Sequence, residues 1–179
     1  MPPRPDRPAR RSWRWGEVQG AVPVPEAVRL RCADEAAAFY REMEAGDFCA
    51  DPVETRLPYP WLPPLPAWFP AATVEALGFV SHAESPGNQL VLTLGVDAHV
   101  DDIHGPVLAW VLHNPGLRFR QGRVSHCPAA GDWFLFDDRQ PHAVGSAPGE
   151  TVFMAWVVPL REVLRPLPAS ERFRMEPGR

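Results

Sequence analysis

The chain has 179 residues, 45% of them hydrophobic and 22% charged, with a formal net charge of −4; this is an ordinary globular balance with enough apolar mass for one core. All 18 basic residues are arginine, which excludes a lysine Schiff base, a pyridoxal phosphate anchor and a phosphate-loop lysine. No apolar run approaches the ~20 residues of a membrane-spanning helix. No signal-peptide core follows the N-terminal arginines, and the three cysteines stand far apart with no CxxC pair, so a soluble cytoplasmic protein is expected.

In chain order, residues 1–15 are rich in proline and arginine without periodicity, and predict a disordered basic tail. Such a tail suits a solvated end; contact with nucleic acid or an acidic partner is the alternative. The remainder, 16–179, is expected to form a single domain. The spacing of Ala36, Phe39, Tyr40 and Met43 predicts a helix over 34–45, capped by Asp34 and ended by Gly46. Residues 57–70 carry prolines with Tyr59, Trp61, Trp68 and Phe69, an irregular segment expected to wrap the core or wall a cleft. A short helix over 71–77 follows.

From Asn88 the pattern changes to strands, over 89–96, 107–113, 117–121, 123–127, 133–136, 143–145 and 151–158. Asn114-Pro115-Gly116, Gln121-Gly122, Ala130-Gly131 and Ala147-Pro148-Gly149 are turn signals between them. This spacing predicts a mainly β chain with N-terminal helices, its core at about 88–160 an antiparallel jelly-roll barrel. The polar tail beyond Leu160 is expected on the surface.

The chemistry concentrates at His99-Val100-Asp101 and at His142, which follows Gly131-Asp132 and a strand. On an extended segment His99 and Asp101 point to the same side. Two imidazoles and one carboxylate make the facial set that holds iron(II) and leaves the opposite face open. Asp102 is the rival carboxylate, facing away from His99. His104 is a further candidate ligand, and His113 lies close by in sequence. Arg139, just before His142, is placed at the mouth to contact substrate or to brace Asp137 or Asp138.

This layout resembles the iron(II)- and 2-oxoglutarate-dependent oxygenase superfamily over roughly residues 88–160. The resemblance implies a double-stranded β-helix, with His99, Asp101 and His142 as metal ligands and 2-oxoglutarate and oxygen in the open positions. An aspartate ligand argues for hydroxylation over halogenation. The distal carboxylate of 2-oxoglutarate needs a buried arginine. The last core strand, Thr151 to Val158, has none, so Arg118 and Arg120 are the candidate anchors; a solvent face with Leu117 and Phe119 buried is the alternative. Within the superfamily the order of motifs looks most like the AlkB-type branch, which acts on alkylated bases or protein side chains. The late arginine pair and the Asn-x-Tyr of that branch are absent, so the likeness supports fold more than substrate.

Two other classes remain open: a cupin-type metalloprotein that does not use 2-oxoglutarate, although a cupin more usually shows HxH and a glutamate where this chain reads His-Val-Asp, and a non-catalytic binding protein on the same fold, which the missing late arginine permits. Acidity and the lack of lysine favour a small-molecule substrate over nucleic acid, since duplex binding takes several phosphate contacts.

Overall fold

The predicted strand at 89–96 is in fact two strands in two sheets, and the crossing between them sets up the fold. The computed structural model describes residues 14–46, 53–56, 71–81, 89–101, 105–145 and 151–162. The elements are β1 (Val18–Ala21), α1 (Glu26–Glu44), β2 (Val53–Arg56), α2 (Ala71–Ala76) and β3 (Phe79–Ser81). There follow β4 (Gln89–Thr93), β5 (Val96–His99), β6 (Pro106–His113), β7 (Phe119–Gln121), β8 (Val124–His126), β9 (Asp132–Asp137), β10 (His142–Val144) and β11 (Phe153–Glu162). At the crossing the Thr93 Oγ1 accepts the Gly95 N–H at 2.9 Å. Gly95 takes φ +132°, a conformation that L side chains rarely adopt.

One sheet has the order β1-β9-β6-β11-β4-β2, with β3 paired to the far end of β11; the other has the order β5-β10-β7-β8. All the pairings are antiparallel. From β4 onward the chain passes back and forth between the sheets, which curl over one another as a double-stranded β-helix of the jelly-roll type. The fold class expected from the strand pattern is the one observed.

The central strands of the first sheet, β6, β9 and β11, are buried on both faces, which explains why they lack a polar side. Leu108, Trp110 and Leu112 of β6, with Trp133 and Leu135 of β9 and Met154 and Trp156 of β11, pack toward α1. The alternate residues Val107, Ala109, Val111, Phe134, Phe136, Phe153 and Ala155 face the interior between the sheets. The second sheet buries Phe119 and Val144 on its inner face and exposes Arg118, Arg120 and Ser125 on the other.

Helix α1 begins eight residues before the predicted start, with Pro25 rather than Asp34 at its N-cap. Its buried stripe, Val28, Cys32, Ala36 and Phe39, runs straight through the exposed Asp34. A continuous apolar stripe with its packing outweighs a cap worth ~1 kcal/mol. Gly46, at φ +71°, ends the helix as expected. Strands β1, β2 and β3 were not foreseen; at three or four residues each they carry no readable alternation. Residues 1–13, 57–70 and 163–179 lie outside the described residues, and with them most of the basic tail and the aromatic segment.

Among the described residues Cys32 and Cys127 are free thiols. Cys32 is fully buried, and burial pushes its thiol up to about 12, whereas Cys127 is exposed. Since the thiolate is the nucleophile, iodoacetamide should alkylate Cys127 and spare Cys32 in the folded protein. Peptide mapping by mass spectrometry reads the ratio; equal labelling of the two would contradict the packing of α1.

Candidate metal centre

His99 closes β5 and His142 opens β10, and the two are direct partners across the sheet, their rings 4.4 Å apart. The His99 Nδ1 donates to the Asp97 carbonyl at 2.8 Å, and the His142 Nδ1 donates to the Gln140 carbonyl at 3.0 Å. A carbonyl only accepts, so each Nδ1 carries a proton, and in its neutral form each ring would have its lone pair on Nε2. Both Nε2 atoms face Asp101, at 3.5 Å from Oδ1 for His99 and 3.4 Å from Oδ2 for His142. Donors ~2.0–2.2 Å from one ion stand about 3.0–3.5 Å apart. The three donor atoms all lie within 4.8 Å of one another, so the residues fit a metal ion. Two imidazoles and a carboxylate on one side are the donor set of an open iron(II) site.

A support layer holds this geometry. The Asp101 N–H donates to the Asp138 carbonyl at 3.0 Å, the Asp138 N–H to the Gly105 carbonyl at 2.9 Å, and the Gly105 N–H to the Asp138 Oδ1 at 2.6 Å. Asp138, 2% exposed, thereby ties Asp101 to Gly105. Gly105 sits at φ +87°, a conformation that L side chains rarely adopt; a Cβ there would lie 2.9 Å from the Arg139 guanidinium, the movable end of a flexible side chain, so conformation rather than space calls for glycine. Gln121 braces the other ligand: its Nε2 donates to the Asp137 carbonyl at 2.7 Å and its Oε1 accepts the Asp137 N–H at 3.1 Å. That pins the turn whose Gln140 carbonyl orients His142.

Asp138→Ala should therefore weaken divalent metal binding by the ~10–100-fold typical of lost supporting hydrogen bonds. Asp138→Asn keeps an acceptor for Gly105 and should restore most of it. Cobalt(II) titration with unchanged urea stability as the control checks this; equal metal affinity in Asp138→Ala and wild type would count against the clamp.

The triad opens on a cavity of about 200 Å³ between the sheets, lined by Val107, Ala109, Phe119, Phe134, Phe153 and Ala155 among others. Asp138 also lines it, and Thr93 contributes a hydroxyl; no arginine lines it among the described residues. Arg118 and Arg120 are not among its described lining residues. Arg118 and Arg120 are exposed on the outer face of β7, and Arg118 reaches Ser125 across the β7–β8 hairpin. Strand alternation forces this, because Leu117 and Phe119 take the inner positions. Arg161 is exposed as well.

Arg139 is not among the cavity-lining residues; it pairs with both oxygens of Asp137, at 3.0 and 3.2 Å, and so takes the bracing position. His113 lies at the other end of β6 from Pro106, across from Met154 and apart from the triad, and burial pushes its imidazole down. Asp102 and His104 lie outside the described residues. Sequence reasoning missed Gln121, Thr93 and the clamping role of Asp138; a polar residue alternating with inward aromatics, as in Leu117, Phe119, Gln121, was the available signal.

No protein-family model matches this chain, and no curated protein matches it. Among solved structures it is similar to EvdMO1, with 15% identity and a TM-score of 0.50, over 81% of this chain and 46% of that one. This chain thus spans less than half the length of that protein. Other similar structures are AviO1 from Streptomyces viridochromogenes (18% identity, TM-score 0.42, 85% of this chain and 91% of that one) and a Pseudomonas putida prolyl-4-hydroxylase (17% identity, TM-score 0.40, 80% and 90%). At such identities the likeness to EvdMO1 speaks for the fold alone.

Proposed function

We propose that this chain is a non-haem iron(II) oxygenase that uses a 2-oxo acid as co-substrate, its metal held by His99, Asp101 and His142. One observation carries the reading: two imidazoles with their Nδ1 protons fixed by carbonyls turn both Nε2 atoms toward one carboxylate at the mouth of an apolar cavity. Three protein donors leave the opposite face of an octahedral ion open to a bidentate co-substrate and oxygen. The bound iron would supply oxygen activation. The protein supplies a fixed ligand face and an apolar cavity beside it.

The sequence resemblance makes 2-oxoglutarate the first co-substrate to test. Iron(II) added anaerobically should bind, and 2-oxoglutarate should then develop a visible charge-transfer band, with succinate appearing once air is admitted. A protein that binds iron(II) but gives no band with any 2-oxo acid is instead the cupin-type metalloprotein. The three convergent donors favour that second reading over a scaffold without metal.

The substrate is proposed to be a small molecule hydroxylated, or oxidatively demethylated, at a C–H bond. An alkylated base, as the AlkB-type layout suggests, is the alternative. With a net charge of −4, single- or double-stranded nucleic acid is expected to bind weakly at physiological salt. Tight binding that falls steeply with salt would reverse that preference.

A further inference from the structure

The cavity behind the triad has a composition that specifies its occupant. Its inner walls come from alternate residues of β4, β6, β9 and β11 facing Phe119 and Val144 of the second sheet. Eleven of its sixteen lining residues are valine, alanine or phenylalanine. Among the described residues, the charged side chain that lines it beyond the triad is an acid, Asp138, 2% exposed, whose Oδ1 takes the Gly105 N–H at 2.6 Å. Thr93 is the neutral polar group, and its Oγ1 already accepts from Gly95. Volume is not the constraint: a cavity of about 200 Å³ exceeds the ~150 Å³ apolar cavity known to hold benzene.

Chemistry is the constraint. A ligand that chelates the metal through a carboxylate and a 2-oxo group directs its third carbon onward into these walls. If that tail ends in a second carboxylate, an ion leaves water for an apolar lining that offers it an acid. Burying an unpaired charge in that way is strongly unfavourable. If the tail is a branched alkyl or an aryl group, the same walls bury it favourably.

We propose that the lumen is a binding site for the apolar side chain of a 2-oxo acid, and that it discriminates against the dicarboxylate 2-oxoglutarate. The metal holds the head of the ligand, and Val107, Ala109, Phe119, Phe134, Phe153 and Ala155 hold the tail. This rests on the metal-centre reading and names the class of co-substrate that the centre takes. It also gives a physical sense to the outward placement of Arg118 and Arg120: the inner positions of β7 go to apolar side chains that suit such a tail.

The test uses the full chain loaded with iron(II) without oxygen, titrated separately with 4-methyl-2-oxopentanoate, phenylpyruvate and 2-oxoglutarate. Binding is read from the charge-transfer band and by calorimetry. At least one apolar acid should half-saturate at roughly a tenfold lower concentration than 2-oxoglutarate, or less. Ala155→Leu, which narrows the lumen, should bind iron(II) as wild type does and lose the apolar acids by about tenfold. Equal or tighter binding of 2-oxoglutarate overturns the proposal and leaves the metal centre standing, as does iron binding with no response to any of the three acids. Failure to bind iron(II) overturns both. Should Ala155→Leu not fold, the wild-type comparison alone decides the matter.

Discussion

His142→Ala is expected to cost the protein its iron(II), with affinity falling by more than the ~10–100-fold that follows the loss of an outer hydrogen bond to a ligand. His142 is the most enclosed of the three donors, with its side chain 8% exposed against 35% for His99 and 40% for Asp101. Its ring is held from two sides, by the Gln140 carbonyl and by Phe136 at 5.0 Å. Truncation leaves two half-exposed donors and no means of closing the facial set. Asp101→Ala should act in the same direction, because the carboxylate spans both Nε2 atoms. Asp101→Glu, one methylene longer, should retain weak binding. Anaerobic titration followed by iron analysis after gel filtration measures this. Wild-type-like iron retention in both alanine variants would remove the basis for the metal centre.

The cluster of His99, Asp101 and His142 was legible because its chemistry and its spacing are local. His99 and Asp101 are two residues apart, and His142 follows a Gly-Asp turn and an apolar strand, so residue types alone pointed to one site. What the sequence could not supply was which residue meets which across the sheets. The pairing of His142 with His99 depends on the break at Gly95, where one apolar run, 89–96, divides between two sheets. Nothing in the side chains of Leu94 and Gly95 announces a change of sheet beyond the glycine itself. The arginines of β7 show the same limit. Alternation said that Arg118 and Arg120 share a face and that Leu117 and Phe119 share the other, but not which face the fold would enclose. The interior took the aromatic, as burial free energy favours, and the charges went to solvent. Helix α1 was misplaced for a different reason: a capping residue was weighed above an apolar stripe that continued past it.

Neighbouring residues of β9 should separate the stability of this fold from the function of its cavity. Leu135 is fully buried on the α1 side of the first sheet, while Phe134, 1% exposed, faces the lumen against Phe119 at 4.5 Å. Leu135→Ala leaves a closed void between sheet and helix and should cost about 2–5 kcal/mol. Phe134→Ala removes more apolar surface, about 3–5 kcal/mol for a phenylalanine in a sealed core. Its void, however, merges with an existing cavity that water or ligand can enter, so its cost should fall at the lower end of that range. Both variants should unfold at lower urea concentration with the slope of the transition unchanged. Only Phe134→Ala should alter the binding of a chelating co-substrate to the iron-loaded protein, because only there does the missing ring belong to the wall beside the metal. A Leu135→Ala variant that perturbed co-substrate binding as much as Phe134→Ala would mean that the first sheet does not separate a structural core from a working cavity.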